Sequence, residues 1–262
     1  MMNRILVAVP GIAVILAAVY FGGPVFAAFA LVVALGALFE FYALATVPPR
    51  LQWAGYATAV LAVLLAWAAD PAERALLVAL AAGLILAAVA ALSLEDREGI
   101  TGRVATVLMG CLYIAMPAGV LVLTRDLPDG AGAIVNLLVG VWVFDTASYF
   151  SGRAWGRRKI APRTSPNKTW EGFVGGLIGG TAAVWFAGLY MDWINWWQSI
   201  IIGLAICLAA YVGDLFESMI KRDAGVKDSG TILGGHGGVL DRFDSLLFAS
   251  LAGYFLTIWM VL

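Results

Sequence analysis

The sequence predicts an all-α, polytopic integral membrane protein with about nine transmembrane helices. Three observations predict it. Of its 262 residues, 62% are hydrophobic and only 13% charged, against roughly 25% charged in soluble domains. Apolar stretches of about 20 residues, enough to cross a hydrocarbon core of roughly 30 Å, recur along the whole length. These stretches are rich in Ala, Leu, Gly and Val without the strict alternation of a transmembrane barrel. Each therefore satisfies its backbone polar groups internally, as a helix.

The segments fall at about 4–20, 24–46, 52–69, 74–94, 103–123, 132–152, 170–190, 197–217 and 239–261. The first follows Arg4, and Ala28-Phe29-Ala30 resembles a small-residue cleavage site. The chain stays apolar past it to Leu38, so the segment reads as a retained anchor. Phe21-Gly22-Gly23-Pro24 separates the first two segments, and a shallow hairpin there is the alternative to two full spans. The second carries Glu40 without polar companions, which reads as structural or near a headgroup. Cys111 and Cys207, in the fifth and eighth, have no CxxC spacing and read as small core residues. The sixth carries Asp145, with Ser148 and Tyr149 at i+3 and i+4 on the same face. An ionisable residue in such a segment faces the protein interior and has a partner.

Basic residues set the orientation. Numbering the connections from the N-terminus as zero, the even ones and their flanks hold Arg4, Arg50, Arg97, Arg103, Arg153, Arg157, Arg158, Lys159, Arg163, Lys168, Lys221, Arg222, Lys227 and Arg242. That is 14 of the 16 Lys and Arg, leaving only Arg74 and Arg125 on the other side. By the positive-inside rule the N-terminus is cytoplasmic, the C-terminus is outside, and both large polar loops are cytoplasmic. The net charge of −1 gives no reason to expect nucleic acid as a partner.

Those two loops carry the chemistry. The first, 152–169, holds six basic residues and meets no acidic one before Glu171. Arg157, Arg158 and Lys159 read equally as a contact for anionic headgroups. Ser165-Pro166 has the N-cap and N1 pattern of a helix start, which places Lys168 and free N–H groups at the positive end of the seventh helix. The second loop, 217–241, lies in a polar run of 27 residues from Ser218 to Asp244. Asp214, Glu217, Ser218 and Lys221 share one face at the end of the eighth helix, and Asp241 and Asp244 share one at the start of the ninth. Two helix ends presenting carboxylates suit a hard cation, Mg²⁺ first, through oxygen ligands. Between them, Gly234-Gly235-His236-Gly237-Gly238 permits positive φ and close backbone approach, as an N–H cradle for phosphate requires.

Taken in order, Ser218, Lys221-Arg222, Lys227-Asp228, Gly230, Gly234, His236-Gly237-Gly238, Asp241-Arg242 and Asp244 resemble the signature of the phosphatidate cytidylyltransferase (CDP-diacylglycerol synthase) family. Ser165-Pro166-Asn167-Lys168-Thr169-Trp170-Glu171-Gly172 and Gly213-Asp214-Leu215-Phe216-Glu217-Ser218 are similar to its other recurring segments. Gly234 stands where many members have proline, and Ser148 where alanine is usual, but neither departure removes a charged group. The resemblance divides the chain into an N-terminal membrane region, 1–130, with about five spans, and a catalytic region, 131–262.

It implies transfer of cytidylyl from CTP to phosphatidic acid, giving CDP-diacylglycerol and pyrophosphate, with Mg²⁺ required and a second metal ion left open. It implies Asp214, Asp241 and Asp244 as metal ligands. Lys168, Lys221, Arg222 and Lys227 would hold the CTP and lipid phosphates, with Ser165 and Ser218 beside them. His236, Gly237 and Gly238 would close over the nucleotide, and Asp145 would be an accessory polar or metal-linked group. It further implies a homodimer, and the Ala-rich composition points to a bacterial plasma (inner) membrane. Two rival readings are a related CTP-dependent lipid enzyme with another acceptor, a polyprenol or an ether lipid, and an ion-coupled transporter. The transporter predicts an internal repeat with broken helices at the bilayer midplane, and no such repeat is present.

Overall fold

A computed structural model of the protein describes residues 2–69, 72–234 and 237–261. The helices are α1 (Met2–Phe21), α2 (Gly23–Leu44), α3 (Pro49–Ala68), α4 (Ala72–Leu92), α5 (Ile100–Gly110), α6 (Met116–Arg125), α7 (Gly130–Trp155), α8 (Trp170–Gly188), α9 (Trp196–Asp223) and α10 (Leu240–Met260). A π-helical turn, Cys111–Ala115, fuses α5 and α6 into one rod. Pro117 explains the turn: it has no N–H to give the preceding turn, and its ring crowds that turn's carbonyls, so the helix widens just before it. Each of the nine apolar segments is thus helical. Among the described residues, six rods are long and apolar enough to cross a bilayer: Gly23–Leu44, Pro49–Ala68, Ile100–Arg125, Gly130–Trp155, Trp196–Asp223 and Leu240–Met260.

The chain divides into two compact units, Met1–Asp126 with Asp228–Arg242, and Leu127–Lys227 with Phe243–Leu262. In the first, α3 packs against α2, α4 and the α5–α6 rod. Its core is Leu38, Phe41, Tyr42, Leu51, Val63, Val107, Ile114 and Val120, all fully buried. Tyr42 lies where α3 and α5 expose only glycine: a Cβ at Gly55 would overlap the phenol, and one at Gly110 would come within 2.6 Å of its oxygen. The phenol donates to the Val107 carbonyl at 3.1 Å. We expect Gly55→Ala to destabilise this unit by about 1–3 kcal/mol through overpacking, read as a lower thermal midpoint in detergent. An unchanged midpoint would refute this packing. At the α1–α2 break, Gly22 has φ +60°, and the Arg125 guanidinium caps the end of α1 by donating from Nε to the Val19 carbonyl at 2.8 Å.

In the second unit, α7 and α8 pack closely along their length. Gly172, Gly175, Gly176, Gly179 and Gly180 line α8 where it meets α7. A Cβ at Gly176 would lie 2.8 Å from the Phe144 carbonyl oxygen, and one at Gly179 2.8 Å from Ala147 Cβ. Small residues at this spacing let two backbones approach in the way membrane helices favour. Cys207 is buried and unpaired, as is Cys111 in the first unit, so both are packing residues. Exposed aromatics gather at both ends of this unit: Tyr149, Phe150, Trp155 and Trp170 at one, Tyr190, Trp196, Trp197 and Trp259 at the other. That distribution matches the two interfacial belts of a membrane protein.

One expectation is corrected here. Ser165-Pro166 does not start a helix. Residues Ser165–Thr169 form strand β2, paired antiparallel with β1 (Lys159–Ala161). Helix α8 begins later, with Thr169 as N-cap: its Oγ1 accepts from the Gly172 N–H at 3.2 Å. Pro166 tolerates the strand because a two-stranded ribbon leaves edge positions whose N–H is not needed.

Candidate active site

The second unit gathers most of the charged groups singled out by the sequence. Strand β2 carries Lys168, whose Nζ reaches Asp214 Oδ2 of α9 at 2.7 Å, with side chains 19% and 33% exposed. The ammonium also stands 5.0 Å above the Tyr211 ring, a cation–π distance. Tyr211 is held in turn by Phe173 and Phe144, at ring centroid distances of 4.6 and 6.0 Å. Lys168 is therefore fixed by an ion pair and an aromatic floor rather than by the helix end the sequence suggested.

One turn further along α9, Glu217 is buried, 1% exposed, and paired with Lys221. Ser218 Oγ is at the edge of hydrogen-bond range of Asp214, 3.5 Å from Oδ1. Helix α10 comes close at this level because residue 213 is glycine: a Cβ there would lie 2.6 Å from the Asp244 carbonyl oxygen. Asp145 of α7, Asp214 and Asp244 consequently lie within electrostatic range of one another, with Lys168 near Asp145 and Lys221 near Asp244. Near these groups, the hydroxyls of Ser148 and Tyr211 are buried without a hydrogen-bond partner. Four carboxylates thus face two lysines, a local excess of negative charge and oxygen donors. Oxygen donors of this kind are the chemistry a hard divalent cation prefers. Among the described residues, no three His, Cys, Asp or Glu side chains are grouped closely enough to hold a metal ion.

The other expected residues are placed as follows. Arg222 Nε donates to the Thr164 carbonyl at 3.3 Å and Nη1 to the Val226 carbonyl at 3.0 Å, so it ties the hairpin turn to the end of α9. Glu171 accepts from the backbone N–H groups of Arg157 and Arg158, at 3.0 and 3.2 Å, and fixes the path of the basic loop. Lys227 is exposed and Ser165 half-buried. In the first unit, Asp241 Oδ2 accepts from the N–H and hydroxyl of Ser229 and from the Gly238 N–H, at 2.9, 3.0 and 2.8 Å. Gly234 and Gly237 have positive φ, +59° and +78°, the left-handed backbone expected of a glycine-rich turn. His236 lies outside the described residues.

The sequence model of the cytidylyltransferase family matches residues 2–259, nearly the whole chain. This protein belongs to that family. It has relatives named phosphatidate cytidylyltransferase. One from Brucella suis biovar 1 is 44% identical over 142 residues, 54% of this chain and 53% of that one. One from Haemophilus influenzae is 45% identical over 134 residues, 48% of this chain and 46% of that one. One from Staphylococcus saprophyticus is 43% identical over 142 residues, 54% of each. The chain spans about half the length of the curated relatives it matches.

Tyr211 of the second unit escaped the sequence reading, and Glu40 of the first was read only as structural or near a headgroup. Tyr211 carried no signal beyond lying one turn before Asp214. Glu40 did carry one, a lone acid in an apolar run, which marks a group with a buried partner. Its 2% exposure and its bonds to Ser229, Val239 and Leu240 replace the headgroup alternative.

Proposed function

We propose that this chain transfers cytidylyl from CTP to phosphatidic acid, releasing pyrophosphate and forming CDP-diacylglycerol. The observation that carries the reading is the Lys168–Asp214 pair on its aromatic floor, beside Asp145 and Asp244, in a chain of the cytidylyltransferase family. The names of the relatives support the acceptor.

The chemistry suits these groups. A phosphate oxygen of the lipid attacks the α-phosphorus of CTP, the bond from that phosphorus to the β-bridging oxygen breaks, and pyrophosphate departs with the electron pair. The nucleophile is already an anion, so no general base is required. The work is to bring two polyanions together and to neutralise the charge that leaves. Lys168 supplies positive charge from a fixed position, with Asp214 orienting its ammonium. Lys221 does the same from the α9 face, with Glu217 behind it. Mg²⁺, held by Asp214 and Asp244 with Asp145 contributing, would neutralise phosphate oxygens that the lysines do not reach; the resemblance adds Asp241 as a ligand, and a second metal ion belongs to the same reading. Arg222 and Lys227 would extend the positive surface toward phosphate, and Ser165, Ser218, Gly237, Gly238 and His236 would contact substrate.

The same reading makes α1, α4 and α8 membrane segments alongside the six longer rods, with loops 152–169 and 217–241 on the cytoplasmic side of a bacterial inner membrane. CTP then arrives from water and the lipid sideways from the bilayer. A homodimer completes it.

The test is transfer of label from CTP marked at the α- or the γ-phosphate, with phosphatidic acid and Mg²⁺ in detergent, for the parent and for Asp241→Asn. We expect α-label in lipid and its loss in the variant. γ-Label in lipid would replace this reading with a lipid kinase. Transfer of neither by folded protein would exclude this acceptor.

A further inference from the structure

We infer that Glu40, nearly 200 residues from the signature segment in sequence, is the positioning residue that holds the two ends of the glycine-rich loop, Ser229 at one and Val239 and Leu240 at the other. The inference deepens the functional reading above and rests on it for its consequence in catalysis.

Glu40 projects from α2 and is 2% exposed. Its Oε1 accepts from the Val239 N–H at 2.9 Å, and its Oε2 from the Leu240 N–H at 2.8 Å and the Ser229 hydroxyl at 3.0 Å. A buried carboxylate is costly unless its oxygens are occupied; here three donors from the two ends of one loop occupy them. Both ends are shaped for the approach. A Cβ at Gly230 would come 2.5 Å from Oε1, and a Cβ at Gly238 would overlap Oε2. From the same helix, Gly36 admits Val239, whose Cγ2 would lie 3.3 Å from an added Cβ. At Gly230 and Gly238 the close approach of a protein carboxylate accounts for the missing side chain.

The second half of the clamp is Asp241, whose Oδ2 takes the Ser229 N–H and the Gly238 N–H. Ser229 Oγ is 3.0 Å from both carboxylates. Its single proton serves one of them at a time, and backbone donors hold each carboxylate in either case. Glu40 thus spans the loop from Ser229 to Leu240, and it also fixes the first turn of α10, where Asp241 lies. Amide replacement cannot reproduce this. A Gln at position 40 must turn its NH₂ toward either the Val239 or the Leu240 N–H, setting donor against donor.

The experiment measures hydrogen exchange of peptides covering 228–242 together with steady-state kinetics, for the full-length protein, Glu40→Gln and Ser229→Ala. We expect Glu40→Gln to speed exchange of the loop while α3 and α4 exchange as in the parent. We also expect KM for CTP to rise, and kcat/KM to fall about 10- to 100-fold, the scale of a small misplacement of binding groups. Ser229→Ala, which keeps every backbone bond, moves both readouts in the same direction by less, and carries the test alone if Glu40→Gln does not accumulate. Unchanged loop exchange would overturn the inference. So would a lower Vmax at unchanged KM, the signature of a merely structural loss of folded protein. If the parent transfers no cytidylyl, the functional reading falls, and exchange alone decides whether Glu40 holds the loop.

Discussion

Asp214→Asn should lower cytidylyl transfer by about 10²- to 10³-fold, the loss expected when one preorganised charged group is removed from a reacting centre. The protein should stay folded. The Lys168–Asp214 pair, at 2.7 Å, is partly open, with the Asp214 side chain 33% exposed, and pairs of that kind contribute about 1 kcal/mol or less to stability. What disappears is the orientation of the Lys168 ammonium, which keeps the Tyr211 ring beneath it but no longer has a charged acceptor to point it. One carboxylate donor for a cation goes as well. Purified variant and parent should show thermal midpoints within a few degrees of each other, with kcat/KM far apart. A midpoint that falls in step with activity would mean that Asp214 supports the fold rather than the reaction.

Lys221→Met should act in the opposite way, through folding. Glu217 is 1% exposed and paired with Lys221 one turn along α9. Removing one partner of a buried pair costs about 3–5 kcal/mol, because the remaining charge keeps its desolvation penalty and loses this ion pair. Little folded protein should be recovered from the single variant. Adding Glu217→Gln should restore recovery, since the charge left behind is then removed, yet activity should stay low because position 221 still lacks its ammonium. Size-exclusion profiles and transfer assays on the parent, the single and the double variant would separate these effects. Full activity in the double variant would place Lys221 outside the chemistry.

Helices were the most legible part of this protein. Apolar length alone locates every rod, and most ends fall within a few residues, because an apolar segment in lipid has no alternative to internal hydrogen bonding. The fused α5–α6 rod was found as one segment, but not its π-turn, since a proline's effect on the preceding turn depends on how the neighbours pack. The start of α8 was misplaced for a local reason. Ser-Pro and Thr-Trp-Glu-Gly are both acceptable helix starts, and the choice of Thr169 follows from β1, a partner strand that periodicity does not reveal in a three-residue segment.

At the site, the helical spacing of Asp214, Glu217, Ser218 and Lys221 was readable from the chain. Its division of labour was not. Spacing puts four polar groups on one face, but burial makes Glu217 the partner of Lys221, and β2 brings Lys168 to Asp214. The glycine-rich loop was read as an open cradle for an external anion. Glu40, almost 200 residues away, is bound by the backbone N–H groups at its closing end, and no local pattern encodes a contact at that separation.

The glycine seam between α7 and α8 bears on depth in the bilayer. Side chains that interlock through long, flexible groups let helices slide or tilt against each other when a membrane thins or thickens. Here backbone meets backbone, and a shift along the seam would drive Phe144, Ala147, Ser148 or Ser151 into positions where only glycine fits. The two helices therefore keep their register, and with α8 in the membrane, as proposed above, a change in lipid thickness moves them together. Asp145 on α7 and Lys168, just ahead of α8, then stay level with each other whatever the surrounding lipid. If cytidylyl transfer takes place at the membrane surface as proposed, these charged groups thereby stay at one height.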